Sequence, residues 1–257
     1  MIRVENLQCG YSDHPVLNGI SFCIESGELV GVLGPNGSGK TTLLLALSGI
    51  TPIQAGSVEI TGEPIGRLRP KQRARRMAVI AQDGDVRFPF SCEEVVKMGR
   101  FPHQKRWQMD SARDGAVVRR ALQLTDTASL ADRFITAISG GEKQRVFMAR
   151  ALAQETDILL LDEATSAMDI HRKLQIFRVL QDLNQEDGLT VVAVLHDVNL
   201  AALFCRRIIF FSEGKIVADG STDSVLTPEI LEEVYRTKVL VLDIAGTGKR
   251  QVVFLPG

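Results

Sequence analysis

Four short, continuous apolar runs are separated along the chain by longer segments with helical patterning. The runs are residues 28–33, Met77 to Ala81, Ile158 to Leu161 and Val191 to Leu195. Strands that are covered on both faces are apolar at nearly every position rather than at alternate ones. The pattern therefore predicts an α/β fold built on a mostly parallel sheet.

Polar residues stand where each predicted strand ends. Gln82, Asp162 and His196 follow the last three runs, and a glycine-rich turn follows the first. Parallel α/β sheets bind ligands beyond the carboxyl ends of their strands. We therefore expect the four strand ends to form one site.

The segments before and after this core have other patterns. Ile2 to Leu7 and Val16 to Ile24 predict strands of an N-terminal antiparallel β subdomain. Two short segments, Val239–Asp243 and Val252–Leu255, lie on either side of a turn at Gly246 and Gly248, which predicts a terminal hairpin.

The middle of the chain has helical patterns without clear strands, over Cys92 to Met98 and Ser111 to Leu124. This predicts a helical subdomain, residues 83–157, inserted into an α/β and β core made of residues 1–82 and 158–257. Neither a repeat nor a low-complexity linker divides the sequence, so we expect a single domain over all 257 residues.

Composition and charge restrict the classes of partner. With 30 Lys and Arg against 31 Asp and Glu, the formal net charge is −1, so we expect no nucleic-acid partner. The four cysteines lack metal-ligand spacing, which favours a reducing compartment over a zinc or disulfide framework. The apolar runs are far shorter than the roughly 18 residues of a membrane span. Any membrane role would then require a partner.

The glycine-rich turn matches the phosphate-loop pattern G-x-x-x-x-G-K-[ST] at every fixed position. It consists of Gly34, Pro35, Asn36, Gly37, Ser38, Gly39, Lys40 and Thr41, with Thr42 next in the helix. Glycines let backbone N–H groups turn towards phosphate oxygens, and the helix N-terminus adds a positive dipole. Lys40 can reach the β- and γ-phosphates, and the Thr41 hydroxyl can ligate Mg²⁺. The pattern predicts binding of ATP with Mg²⁺.

Asp162 and Glu163 end the third apolar run. Buried strands often end in acids, so a structural pair is the simple interpretation. Beside a phosphate loop, Asp162 can hold Mg²⁺ and Glu163 can polarise water, which favours ATP hydrolysis.

A second turn with a hydroxyl and two glycines lies before another helical pattern. It contains Ser139, Gly140, Gly141 and Glu142. Two interpretations are open on these residues alone: an anion-binding nest, or a helix N-cap in which Ser139 and Glu142 form a capping box.

From Tyr11 to about Gly220 the chain resembles the ATPase subunits of ABC transporters. The matching features are, in order, the aromatic Tyr11, the phosphate loop, the Q-loop Gln82, the signature motif Ile138 to Glu142, the acidic pair with the D-loop Ser166 to Asp169, and the switch histidine His196. Ile138, Glu142, Ala164 and Met168 depart from the usual Leu, Gln, Pro and Leu. None of these departures removes a reacting group.

The resemblance implies a fold and a split site. The fold is a P-loop ABC ATPase with a RecA-like, mostly parallel core, an N-terminal antiparallel β subdomain and an inserted helical subdomain. Two copies would pair head to tail, so that each ATP lies between one copy's phosphate loop and the other's signature motif. On this basis Lys40, Gln82, Glu163 and His196 are catalytic, Thr41, Gln82 and Asp162 hold Mg²⁺, and Tyr11 stacks on adenine. Ser139, Gly140, Gly141 and Glu142 contact ATP from the second copy.

The resemblance also implies membrane partners. Three segments are similar to the ATPases of importers of ferric siderophores, haem and cobalamin. They are Phe88 to Phe90, Val95 to His103 and His196 to Ala202. We therefore expect polytopic permease subunits that dock near Gln82–Ser91, a substrate-binding protein that acts indirectly, and a peripheral location at the cytoplasmic face of the inner membrane. Importers of other metals or oxyanions, an exporter, and a non-transport ABC ATPase are the alternatives.

Three further features have two interpretations each. Phe88 and Phe90 are either an exposed docking surface or core residues. The basic residues between Arg67 and Arg76 form a solvated face or touch lipid or nucleic acid. His103 is a packed or surface residue, or a ligand.

Overall fold

The computed structural model describes residues 2–11, 14–81, 88–104 and 111–256. The chain divides into two compact units: unit 1 is Met1–Leu68 with Thr190–Gly257, and unit 2 is Arg69–Leu189. The predicted helical subdomain falls within unit 2, which also contains the strands that follow Arg76 and Asp157. The single-domain organisation and the subdomain bounds stay predictions.

The described residues form β-strands and α-helices that are numbered in chain order. The strands are β1 (Ile2–Tyr11), β2 (His14–Ile24), β3 (Leu29–Leu33), β4 (Ala55–Ile60), β5 (Glu63–Pro64), β6 (Met77–Ile80), β7 (Ile158–Asp162), β8 (Thr190–Val194), β9 (Arg207–Ser212), β10 (Lys215–Ser221), β11 (Val239–Ile244) and β12 (Lys249–Phe254). The α-helices are α1 (Lys40–Leu47), α2 (Pro70–Arg76), α3 (Cys92–Lys97), α4 (Ala112–Leu124), α5 (Gly140–Leu152), α6 (Ile170–Glu186), α7 (Val198–Phe204), α8 (Thr222–Val225) and α9 (Pro228–Tyr235).

Unit 1 contains the predicted antiparallel sheet, in the order β2-β1-β4-β5. It also contains a mostly parallel sheet in which β3 lies between β8 and β9, both parallel to it, with β10 antiparallel beyond β9. Every residue of β3 and β8 is buried. This burial explains why these two strands are uniformly apolar in sequence, and it confirms the predicted fold class.

Unit 2 contains the parallel pair β6 and β7, in register from Met77 opposite Ile158 to Ile80 opposite Leu161. Helices α3, α4 and α5 pack around a core that includes Val95, Val118 and Val146. The predicted helices over residues 92–98 and 111–124 are confirmed, and residues 98–100 continue α3 as a 3₁₀ turn.

The helices α3, α4 and α5 each begin with the same device. In each, a serine at the N-cap accepts a hydrogen bond from the backbone N–H three residues on, and an acid at that position accepts one from the serine N–H. The pairs are Ser91 with Glu94, Ser111 with Asp114, and Ser139 with Glu142. Such capping boxes satisfy N–H groups that the helix itself leaves without partners.

The predicted terminal hairpin is confirmed as β11 and β12. It is joined to α7 by two hydrogen bonds: Asn199 Nδ2 donates to Val252 O at 3.1 Å, and Val252 N donates to Asn199 Oδ1 at 2.7 Å. None of the helices in the described part of the chain is long and apolar enough to cross a membrane.

Candidate functional site

The phosphate loop connects β3 to α1 with three glycines in backbone conformations that other residues rarely adopt. The φ angles are 149° at Gly34, 78° at Gly37 and 101° at Gly39. A Cβ at Gly34 would overlap the backbone carbonyl of Phe211, and one at Gly39 would lie 2.8 Å from Leu17 Cδ2. Gly34 and Gly39 are therefore required for both conformation and space.

The start of α1 presents donors and no acid. Its N-cap is Gly39, which has no side chain to accept from the first turn, and the first turn has no acidic residue. Lys40 is 5% exposed, and its ammonium donates to the carbonyls of Gly34 and Pro35, both at 2.9 Å. The Ser38 hydroxyl is buried without a hydrogen-bond partner among the described residues. N–H groups, a cation and an unpaired hydroxyl together fit a phosphate group.

The loop is supported from a distant part of the sequence. Gly214, in the turn between β9 and β10, donates its N–H to Ser38 O at 3.1 Å and accepts from Asn18 N at 3.0 Å. The sequence pattern does not predict this support. A glycine in a hairpin turn is the only signal, and it does not indicate which segment the turn contacts.

His196 lies at the same end of the sheet as the phosphate loop. Leu195 N donates to Val32 O at 3.1 Å, so the pairing of β8 with β3 extends to the residue before His196. His196 is exposed. Unit 1 thus brings two of the predicted strand ends together, as expected for parallel neighbours. Tyr11 ends β1, and its side chain lies outside the described part of the structure.

In unit 2 the acidic pair ends β7. Asp162 is 5% exposed, and Glu163 is half-buried. The φ angle of Glu163 is 48°, in the left-handed region, which costs a residue with a side chain about 1–2 kcal/mol. Strained residues of this kind are concentrated at functional sites. Gln82, predicted beside this pair, lies outside the described residues.

The Ser139 turn is a capped helix start. Glu142 Oε2 accepts from Ser139 N and from Ser139 Oγ, both at 2.7 Å. Hydrogen bonds from the Ser139 hydroxyl and backbone N–H lower the pKa of Glu142, so its carboxylate is ionised at neutral pH. The capping-box interpretation is therefore what this chain shows, and contact with ATP is a separate proposal.

This turn is linked to the segment after Glu163 through Gln144. Gln144 Nε2 donates to Ser166 Oγ at 3.1 Å, and Gln144 Oε1 accepts from Ala167 N at 3.0 Å. A Cβ on Gly141 would lie 3.1 Å from Ala167 O. The signature and D-loop segments form one cluster within unit 2. No pattern in the sequence indicates this role for Gln144.

The structure also gives the surroundings of the other residues that had two interpretations in sequence. Phe88 and Phe90 are 70% and 37% exposed and make an edge-to-face contact with ring centroids 6.3 Å apart. His103 Nε2 is 2.7 Å from Gln154 O, which makes it a packed residue. On α2, which holds four of the basic residues between Arg67 and Arg76, no residue is buried, and both interpretations of that run stay open. The described residues contain no group of three His, Cys, Asp or Glu side chains suited to a metal ion.

Comparisons with known proteins agree with these features. The family model described as ABC transporter matches residues 17–166. The cobalamin import ATP-binding protein of Halobacterium salinarum is 40% identical over 241 residues, which are 94% of this chain and 60% of that protein. The ferric enterobactin transport ATP-binding protein of Escherichia coli is 38% identical over 251 residues, 96% of this chain and 92% of that protein.

A solved structure extends the likeness to three dimensions. It is the dimeric, post-hydrolysis state of an ATP-binding cassette bound to ADP and Pi, with a TM-score of 0.79 and 29% identity. The match covers 86% of this chain and 99% of that one. The present chain spans only 60% of the length of its cobalamin-import relative.

Proposed function

Because this chain belongs to the ABC transporter family, we propose that it is the ATP-hydrolysing subunit of an importer. The observation that carries the proposal is the phosphate loop. Helix α1, which follows the loop, has no side-chain N-cap and no acid in its first turn. The loop also contains Lys40 and the Ser38 hydroxyl, which is buried without a partner among the described residues. The names of the relatives support an iron chelate, a siderophore or haem, or cobalamin as cargo.

The proposed nucleotide contacts begin with the loop residues 34–42. Their N–H groups and Lys40 bind the phosphates, while Tyr11 stacks on adenine. Oxygen donors on Thr41, Gln82 and Asp162 suit Mg²⁺, which takes few protein ligands and accepts carboxylate, amide and hydroxyl oxygens. Bound Mg²⁺ supplies positive charge against the phosphate oxygens.

Glu163 is the proposed general base. Its carboxylate orients and polarises the attacking water, and His196 contacts the γ-phosphate. Catalysis of phosphoryl transfer depends mainly on such positioning and charge stabilisation. Gln82 would connect the nucleotide to the residues that follow it.

A second copy of the chain is proposed to complete the site. The Ser139 turn, Ser139 to Glu142, would approach ATP from the partner copy, since the phosphate loop supplies donors from one side only. The dimeric cassette found by comparison supports this arrangement.

Permease subunits are the proposed membrane partners, and they would dock near Gln82–Ser91. The support is an exposed aromatic patch of Phe88, Phe90 and Phe134, which is 54% exposed. Phe90 O accepts from Ile135 N at 2.9 Å, and Ser91 pairs with Phe134, so the three rings are carried on joined segments. Exposed apolar patches of this kind are typical of interaction sites. Through the permease the chain would lie at the cytoplasmic face of the membrane, with a substrate-binding protein acting indirectly.

The variant Glu163→Gln tests the proposed function. We expect it to bind ATP, to lose turnover by about 10²- to 10⁴-fold because the general base is gone, and to accumulate as an ATP-bound dimer. ATP binding, phosphate release and the mass of the complex are the measurements.

The matched control is Glu155→Gln. Glu155 also has a left-handed backbone, with φ 48°, and lies in the same unit, where it pairs with Arg100. It should keep normal turnover. Normal turnover in Glu163→Gln, or equal losses in both variants, would contradict the assignment of Glu163.

A further inference from the structure

The segment between β7 and α6, residues 163–169, begins with Glu163 and contains two tight turns. Ser166 N donates to Glu163 O at 3.0 Å, and Met168 N donates to Thr165 O at 3.1 Å. The first of these bonds joins the backbone of Glu163 to a residue three positions further on. The position of Glu163 therefore depends on the position of Ser166.

Glu163 needs support from its surroundings, because its backbone is left-handed with φ 48°. A residue with a side chain keeps such a conformation only where neighbouring contacts hold it. On one side the support is β7, which ends at Asp162 and pairs with β6. On the other side Ser166 and Ala167 are exposed, so burial does not hold that part of the segment.

Gln144, in the second turn of α5, binds this exposed part from outside the segment. Its Nε2 donates to Ser166 Oγ at 3.1 Å, and its Oε1 accepts from Ala167 N at 3.0 Å. A backbone N–H can only donate, so the bond to Ala167 determines which end of the amide is the oxygen. One side chain thus holds two consecutive residues through a donor and an acceptor.

Close packing at the same place restricts the segment further. A Cβ on Gly141 would lie 3.1 Å from Ala167 O, and one on Gly140 would lie 3.9 Å from Ala167 Cβ. The first turn of α5 therefore lies directly against Ala167. Helix α5 is itself anchored in the core of unit 2 through Val146, which is fully buried. Supporting groups on a packed helix locate a site more precisely than groups on a loop.

We propose that Gln144 is a positioning residue for Glu163: its amide holds Ser166 and Ala167, and the turn that they belong to directs the Glu163 carboxylate towards the attacking water. The inference rests on the proposed function, because it concerns the general base of ATP hydrolysis. Gln144 itself has no contact with ATP in this scheme. Its loss should therefore lower kcat and leave ATP affinity nearly unchanged.

The test is Gln144→Met in the full chain, with MgATP as the probe. Methionine keeps an unbranched side chain and removes both hydrogen bonds. We expect kcat to fall about tenfold, since a displacement of about 1 Å can cost about 100-fold, while KM and the thermal midpoint change little. Ser166→Ala removes one of the two bonds at an exposed residue, and kcat should fall about threefold by the same reasoning.

A combination with Glu163→Gln separates the positioning of Glu163 from a general structural role. In that background the carboxylate is absent, so Gln144→Met should cause no further loss of the residual turnover. Single-turnover assays with radiolabelled ATP measure such slow rates. A further loss of about tenfold in the double variant, or normal kcat in both Gln144→Met and Ser166→Ala, would overturn the inference.

Gln154→Met is the matched control. Gln154 also joins segments of unit 2 through its amide, which donates to Ala74 O at 2.5 Å and to Met77 O at 2.9 Å. It should lower the thermal midpoint and keep normal kcat, and a fall in kcat equal to that of Gln144→Met would contradict the assignment. Normal turnover in Glu163→Gln alone would mean that the proposed function fails. Normal turnover in Gln144→Met with a loss in Glu163→Gln would mean that only the role of Gln144 fails.

Discussion

The glycine-rich turns before α1 and before α5 differ in how they cap the first N–H groups of their helices. The turn before α1 ends in Gly39, a left-handed N-cap with no side chain, and no acid follows in the first turn. The turn before α5 begins with Ser139, an extended N-cap that forms a reciprocal pair with Glu142. The start of α1 has no side-chain cap, whereas at α5 the Ser139 hydroxyl accepts from Glu142 N and the Glu142 carboxylate accepts from Ser139 N and Oγ.

The difference shows that glycine and serine before a helix do not by themselves make an anion site. The first turn of α1 has no acidic residue, so a phosphate can bind at this helix N-terminus, where the dipole and the N–H groups favour an anion. At α5 the Glu142 carboxylate is already present beside the N-cap, where it accepts from Ser139 N and Ser139 Oγ, both at 2.7 Å. An ATP phosphate that binds Ser139 must therefore displace this carboxylate from the serine hydroxyl.

The largest expected effect is on ATP affinity, when a methyl group is added to one turn or the other in separate variants. Gly34→Ala places a Cβ against the Phe211 carbonyl in a backbone conformation unsuited to alanine. We expect ATP affinity to fall by at least about 100-fold, from strain near 3 kcal/mol. Titration with a fluorescent ATP analogue measures it.

Gly140→Ala is the counterpart in the other turn. A Cβ there meets only Ala167 Cβ at 3.9 Å, and Gly140 has an ordinary backbone conformation. ATP affinity of the single chain should be unchanged. Equal losses in the two variants would remove the distinction between the turns.

A smaller effect is expected from Glu142→Gln. The amide keeps the shape of the cap and removes a negative charge that, on the proposed function, faces the partner's ATP. Like charges in a solvated setting repel by about 1 kcal/mol, so the ATP concentration for half-maximal dimerisation should fall about fivefold. Light scattering in the Glu163→Gln background measures it. A need for more ATP would contradict the proposed orientation of this turn.

The smallest effect concerns stability. Ser139→Ala removes the cap of α5 and should lower the free energy of unfolding by about 1 kcal/mol at pH 7. Because the folded-state pKa of Glu142 is lowered, the stabilisation is complete above the ordinary glutamate range and is lost as pH falls through the folded pKa. The difference from the unaltered chain should therefore narrow below about pH 4, as denaturant titrations can show.

Ser111→Ala is the matched control for this stability effect. Ser111 caps α4 in the same way, and its partner Asp114 has a pKa lowered to about 2 by the Ser111 hydroxyl and by Arg100. Both serine variants should lose similar stability at pH 7. Only Ser139→Ala should slow ATP hydrolysis in the assembled complex, and a similar slowing in Ser111→Ala would contradict the role of Ser139.

The core strands could be predicted because a strand that is buried on both faces is apolar at nearly every position. β3, β7 and β8 are apolar nearly throughout, and all their residues are buried. β4 was missed since only two of its six residues are buried and it contains Gly56. β9 and β10 were missed as well, although they pair with each other across the turn at Gly214; only the pairing of β9 with β3 joins distant segments.

The phosphate loop could be predicted as a spacing of residues, but its surroundings could not. The pattern identifies Lys40, while the hydrogen bond that supports the loop from outside comes from Gly214, whose N–H donates to Ser38 O. Likewise, the pattern serine-x-x-acid occurs at five serines: Ser91, Ser111 and Ser139 form the same capping box, whereas Ser129 and Ser166 are not helix N-caps. Among the three caps, Ser139 is distinguished by Gly140 and Gly141 after it and by the family resemblance.

At residue 163, stability and activity favour different amino acids, because the backbone of Glu163 is left-handed. Glycine would relieve the strain of this conformation, so Glu163→Gly is expected to resist heat at least as well as the unaltered chain while being unable to hydrolyse ATP. Selection for thermal stability alone would therefore favour loss of the carboxylate. Engineering of this chain for robustness should be guided by turnover and not by melting temperature.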